Sequence, residues 1–198
     1  MATDVGMCNE ALANIGAGSN VTSINPPDGS AYAQHCARFY RKAVELTLAA
    51  FPWKFATARS NLAQVVDSEV IAPGNYAYKF ALPADMLVAI CVLPKDHTVE
   101  DDQRLDYEIE GPYLFCNHPT PQLKYTRNIT NESLFTVEFA DAATWKLSQL
   151  LSGVIVKGDV TMRKYCLDSF NLALEHAAAI DASQSRTKPV HVPPWLKR

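Results

Sequence analysis

The sequence predicts an α+β protein, on three observations. Both ends of the chain carry apolar residues three or four apart, the spacing of a helix that buries one face. The middle carries short alternating or apolar runs, interrupted at intervals of about ten residues by proline or glycine. Between those runs there is no segment long enough for a crossover helix, so the strands must pair mostly antiparallel.

The first helix is expected over about 4–15, with Val5, Cys8, Leu12 and Ile15 on one face and Thr3 or Asp4 as its cap. "GAGS" follows. Gly16 and Gly18 fail the dinucleotide fingerprint, because they follow a helix rather than a strand and Val21 stands where a third glycine is needed. They also lack the Gly-Lys-Ser/Thr ending of a phosphate loop. A left-handed glycine closing the helix accounts for Gly16. "NPPDGS" then makes a turn, and a longer helix is expected over about 30–51. Its apolar stripe is Ala33, Ala37, Tyr40, Val44, Leu48 and Phe51, and Pro52 stops it.

Strands are expected in "WKFATARSNLAQ" (with Trp53, Phe55 and Thr57 on one face), "NYAYKFALP", "MLVAICVLP", "LDYEIEG", "YLFCN" and "QLKYTRN". "MLVAICVLP", apolar throughout, reads as a fully buried strand. From about Thr136 the pattern is helical again, with Ala143, Leu147, Leu150, Leu151 and Val154 on one face. Gly158 is the expected break. A last helix over about 159–181 carries Cys166, Phe170, Ala173, Leu174 and Ala177. The predicted organisation is a discontinuous helical body (1–52 and 132–183) made of two N-terminal and two C-terminal helices. It carries an inserted antiparallel β-rich region (53–131) and an extended C-terminal tail (184–198) with three prolines and no periodicity.

With 198 residues, 48% apolar and 20% charged, the chain can bury a core without a disulfide or structural metal. A net charge of −3 argues against a protein that grips duplex DNA with its whole surface. The charge is uneven. Residues 95–110 hold seven acids against two bases, and 184–198 hold four bases and no acid. No apolar run approaches a membrane span, and no secretory leader pattern is visible. The five cysteines (Cys8, Cys36, Cys91, Cys116, Cys166) are odd in number and widely spaced, as expected of reduced thiols in a cytoplasm.

A search for chemistry finds no catalytic residue, no metal site and no cofactor-binding motif. Cys116 and His118, or His35 and Cys36, are the nearest Cys/His pairs, and neither has a second pair at ligand spacing. There is no Gly-x-Ser-x-Gly elbow. Cys116 and His176 could meet as a thiol–imidazole pair, but many such pairings are open to any chain with five of each residue. The aromatics Trp53, Phe55, Tyr76, Tyr78 and Phe80 lack the interleaved Lys and Arg of a base-stacking surface.

The order of segments is the most informative feature. "ALANIGAGSNVTSI" and a long helix precede "FPWKFATARSNLAQ", "YKFALPADML", "DYEIEGPYLFCN" and "LKYTRNITNESLFTVEFADAATWKLSQLLS", and the last helix ends in "ALEHAAAID". This series resembles the head-to-tail adaptor (connector) family of tailed bacteriophages, in particular the tail tubular protein A group of short-tailed phages. The resemblance runs to about Asp181 and does not cover the tail. It implies a non-enzymatic virion protein, assembled in the host bacterial cytoplasm. Such a protein forms a ring of twelve copies between the portal protein and the tail or nozzle. Double-stranded DNA passes through its lumen without sequence-specific binding, and no membrane is involved. The tail is then expected to hold the portal or a neighbouring subunit through Arg186, Lys188, Pro189, Val192, Pro193, Pro194, Trp195, Lys197 and Arg198. A second reading is a nucleic-acid-binding module using the basic helix face of Arg38, Arg41 and Lys42 together with the tail.

Overall fold

Four α-helices and six β-strands make up the described part of the computed structural model, which covers residues 2–18, 20–66, 73–74, 76–95, 104–157 and 159–184. The fold is α+β, and every strand pairing is antiparallel.

Helix α1 (Asp4–Asn14) starts at Thr3, whose hydroxyl accepts from Gly6 N at 3.0 Å. A Cβ at Gly6 would lie 2.8 Å from that hydroxyl, so a side chain there would displace the cap. The helix ends in a Schellman motif. Gly16 sits at φ +74°, its N–H donates to Ala13 O, and Ala17 N–H donates to Leu12 O, both at 2.9 Å. Gly16 therefore closes the helix, as the sequence predicts. Asn9 then ties the following loop back onto α1. Its amide accepts from Val21 N at 2.7 Å and donates to Val21 O at 2.9 Å, as a neighbouring strand would. In the proline turn, Asp28 accepts from Thr22 N, Thr22 Oγ1 and Ser30 N. These bonds hold its carboxyl well below the ordinary range.

Helix α2 (Ala31–Ala50) is capped by Ser30, which accepts from Ala33 N. It buries Ala33, Cys36, Tyr40, Ala43, Val44, Thr47 and Leu48. Phe51 and Ala37 pack at the margin of that face. After Pro52 the structure departs from the alternating strand expected at Trp53. Residues 53–56 form a turn, in which Ala56 N donates to Trp53 O, and β1 begins only at Thr57 (Thr57–Asn61). The reason lies in packing. Trp53 is fully buried, donates its indole N–H to Thr47 O at 2.9 Å, and meets Phe139 edge-on at 5.2 Å. Phe55 meets the same Phe139 at 5.0 Å. These aromatics belong to the helical core rather than to a sheet face, and an aromatic pair gains about 0.5–1.5 kcal/mol beyond its area burial.

The strands form two three-stranded sheets, β1-β6-β3 and β2-β5-β4, where β2 is Tyr78–Ala81, β3 Met86–Pro94, β4 Tyr107–Glu110, β5 Tyr113–Cys116 and β6 Pro121–Arg127. Tyr76 precedes β2 and is not part of it. Isolated bridges join the sheets at Val92–Leu105 and Gln64–Phe80. The composition of β3 predicts a strand buried throughout, and the structure departs from it. Only Cys91, Val92 and Leu93 are buried, and two register shifts twist its first half outward, leaving Val88 exposed.

A short 3-10 turn (Glu132–Leu134) leads into α3 (Val137–Ile155), capped by Thr136. Helix α3 packs against α1, α2 and α4 (Val160–Ser183). It is consequently buried on two sides. Phe139, Ala143, Leu147 and Leu151 form one seam, and the small residues Thr144, Ser148 and Ser152, four apart, let a neighbour approach on another. Val154, expected in the apolar face, is exposed. Gly158 lies outside the described residues; the left-handed position after α3 is Lys157, at φ +34°. Asp159 caps α4 by accepting from Thr161 N and Met162 N. Of the stripe expected on α4, Cys166, Phe170 and Ala177 are buried, while Ala173 and Leu174 are half-buried.

Candidate functional site

The tail residues proposed for partner binding (Arg186, Lys188, Pro189, Val192, Pro193, Pro194, Trp195, Lys197, Arg198) lie outside the described residues, as do residues 96–103 of the acidic stretch, whose Asp106, Glu108 and Glu110 are described and exposed. What is described is the root of the tail. Lys54, in the turn after α2, grips the end of α4 from two directions. Its backbone N–H donates to both Asp181 carboxylate oxygens, at 3.2 and 3.1 Å. Its ammonium donates to Asp181 O at 2.7 Å and Ala182 O at 2.9 Å. The last carbonyls of a helix have no partner inside it and carry partial negative charge, so a cation there satisfies them and complements the helix dipole. Asp181 is buried by this arrangement. No sequence pattern announced it, since the partners are 127 residues apart.

Beside that root runs an open groove of about 730 Å³ between the starts of α1 and α3, with α4 along one side. Its apolar lining is Met7, Phe135, Val137 and Ala140. Its rim is acidic, with Glu10, Glu138 and Asp141, and His176 of α4 faces them. Val137 is 81% exposed, so an apolar side chain at the head of α3 is left uncovered. The apolar surroundings push the Asp141 carboxyl up, against the opposing effects of a hydrogen bond from Trp145 and of nearby His176. Trp145 in turn stands edge-on to Tyr165 at 5.9 Å, which couples the groove's α3 wall to α4. Residues from three distant stretches build this groove, so no single motif could disclose it.

The remaining candidates fall into place. Arg41 of the basic helix face is engaged. It pairs with Glu45 at 3.0 Å, donates to Ile129 O at 2.8 Å and bonds the Asn128 side-chain oxygen. It ties α2 to the chain leaving β6, whereas Arg38 and Lys42 stay exposed. Cys116 lies in the strand core and His176 at the groove, so the structure does not bring them together. The Cys116 thiol donates to His118 O, and burial pushes it up, away from thiolate chemistry. His118 Nδ1 accepts from Thr120 N. Cys8 and Cys36 meet in the helical core, where their mutual hydrogen bond and burial push the Cys8 thiol up. All five cysteines are buried and free. Among the described residues no group of three His, Cys, Asp or Glu side chains could hold a metal ion, and no helix is long and apolar enough to cross a membrane. No protein-family model matches the chain, and no curated protein is significantly similar to it in sequence.

Proposed function

We propose that the chain is a structural subunit of a tailed-phage virion, a head-to-tail adaptor that assembles as a ring of twelve between the portal and the tail or nozzle. In this reading the helices of 1–52 and 132–183 form a bundle as the subunit body, and 53–131 is a β-rich insertion. The single observation that supports it most is the shared core. α1 and α2 pack with α3 and α4 in one apolar cluster although the six strands separate them in sequence. That arrangement suits the adaptor order of segments to which the sequence is similar. Side-by-side copies would then make a heterologous interface that closes on itself. The tail would reach the portal, with Trp195 as an aromatic anchor. The net charge of −3 suits a channel that lets DNA slide, because a wall that gripped phosphates would release counterions and hold the duplex.

The nucleic-acid-binding reading is weakened by the engagement of Arg41, which leaves Arg38 and Lys42 as the exposed bases of that face. The test is negative-stain imaging of the protein mixed with portal rings from a short-tailed phage. The expected outcome is a second, coaxial ring beneath each portal. Bare portals beside unassembled protein would refute the adaptor reading.

A further inference from the structure

The geometry points to the groove between α1, α3 and α4 as a docking site for the chain's own C-terminal segment, residues 185–198, in the free subunit. This goes beyond the adaptor reading and stands or falls without it.

Three observations meet here. The first is charge. The groove's rim is acidic, with Glu10, Glu138 and Asp141, and the segment carries Arg186, Lys188, Lys197 and Arg198 with no acid. The second is apolar fit. The groove is lined by the exposed Val137 together with Phe135 and the buried Met7, and the segment offers Val192, Pro193, Pro194 and Trp195. Its prolines favour an extended backbone, so laying it along a groove sacrifices little conformational freedom. The third is position. Helix α4 passes the groove at His176 and ends at Ser183, about 10 Å further along its axis. The Lys54 clamp fixes that end. Fourteen residues extend beyond Gln184, with a reach of about 46 Å, ample to turn back. A tether this short gives the segment an effective concentration on the order of millimolar at its own groove, so at micromolar protein it outcompetes the segments of other copies. The contact therefore shields both the tail and the groove until a partner with a stronger hold on either one displaces it.

Disulfide trapping in the full-length chain tests this, because all five native cysteines are buried and contribute little background. In Val137→Cys/Val192→Cys, oxidised glutathione should close an intramolecular disulfide, seen as a faster-migrating monomer on a non-reducing gel. The rate should exceed that of a control, Val66→Cys/Val192→Cys, by at least about tenfold, since Val66 is exposed away from the groove. Adding Glu138→Gln and Asp141→Asn should slow trapping about fivefold by removing rim charge. In a chain with native cysteines, the same two changes should speed tryptic cleavage after Arg186. Equal trapping rates for the test and control pairs would overturn the proposal. So would a ladder of intermolecular products, which would place the segment on another copy. No portal enters the experiment, so its failure and that of the adaptor reading remain separate.

Discussion

The helical and strand regions are built to different depths. Around α3 the described residues include a cluster of twenty-three buried side chains, anchored by Trp53, Phe139, Leu147 and Leu151. Between the sheets the cluster has six, Phe80, Val92, Leu114, Cys116, Leu123 and Tyr125. Fixing the backbone costs about 1–2 kcal/mol per residue in either region, and buried apolar area is the main term that opposes it. The strand region, with far less of that area, must lean on the helices. It does so through a few named joints. Trp53 and Phe55 reach into the helical core, and Arg41 and Glu45 hold Asn128 where β6 ends.

That dependence can be broken most severely at Trp53. Trp53→Ala should cost about 3–5 kcal/mol, the range for a large buried aromatic, and urea unfolding should show it. Both regions should unfold together, at a lower midpoint, because the indole belongs to the joint. Leu114→Ala, in the fully buried centre of β5, should cost less, about 2–4 kcal/mol. Hydrogen exchange should then report faster opening of β2, β4 and β5 while α3 keeps its protection. Equal loss of protection in α3 would mean that the two cores are one cooperative unit. The smallest effect should come from Asp28, whose role is local to the turn before α2. Its carboxyl titrates lower in the folded chain than in the unfolded one, so its contribution to stability is present above the ordinary carboxylate range. That contribution is lost as pH falls through the folded value. Asp28→Ala should therefore lower the unfolding midpoint at pH 6, and the gap from wild type should narrow towards pH 2.

The same contrast separates what the sequence discloses from what it hides. Helix limits were legible because caps are local chemistry. Thr3, Ser30, Thr136 and Asp159 each accept a backbone N–H two or three residues ahead. Gly16 as a helix terminator was legible for the same reason. The antiparallel pairing followed from the short intervals between strands. The start of β1 was not legible, since "WKFA" alternates like a strand and only the distant Phe139 draws its aromatics away. The second buried face of α3 escaped because Thr144, Ser148 and Ser152 carry no hydrophobic signal; their small size is the signal, and it is meaningful only beside a neighbouring helix. The groove was hidden altogether. Its rim joins Glu10, Asp141 and His176, residues that only packing makes adjacent.

The Lys54 clamp has a mechanical consequence. A chain pulled from beyond Gln184 usually frays the last turn of the helix it leaves. Here the load passes at Asp181 and Ala182 into Lys54, and from there into the turn that carries Trp53 and the first residue of β1. Tension on the tail is thus delivered to the hinge between the two cores, across a joint whose strength depends on one ammonium and one peptide N–H.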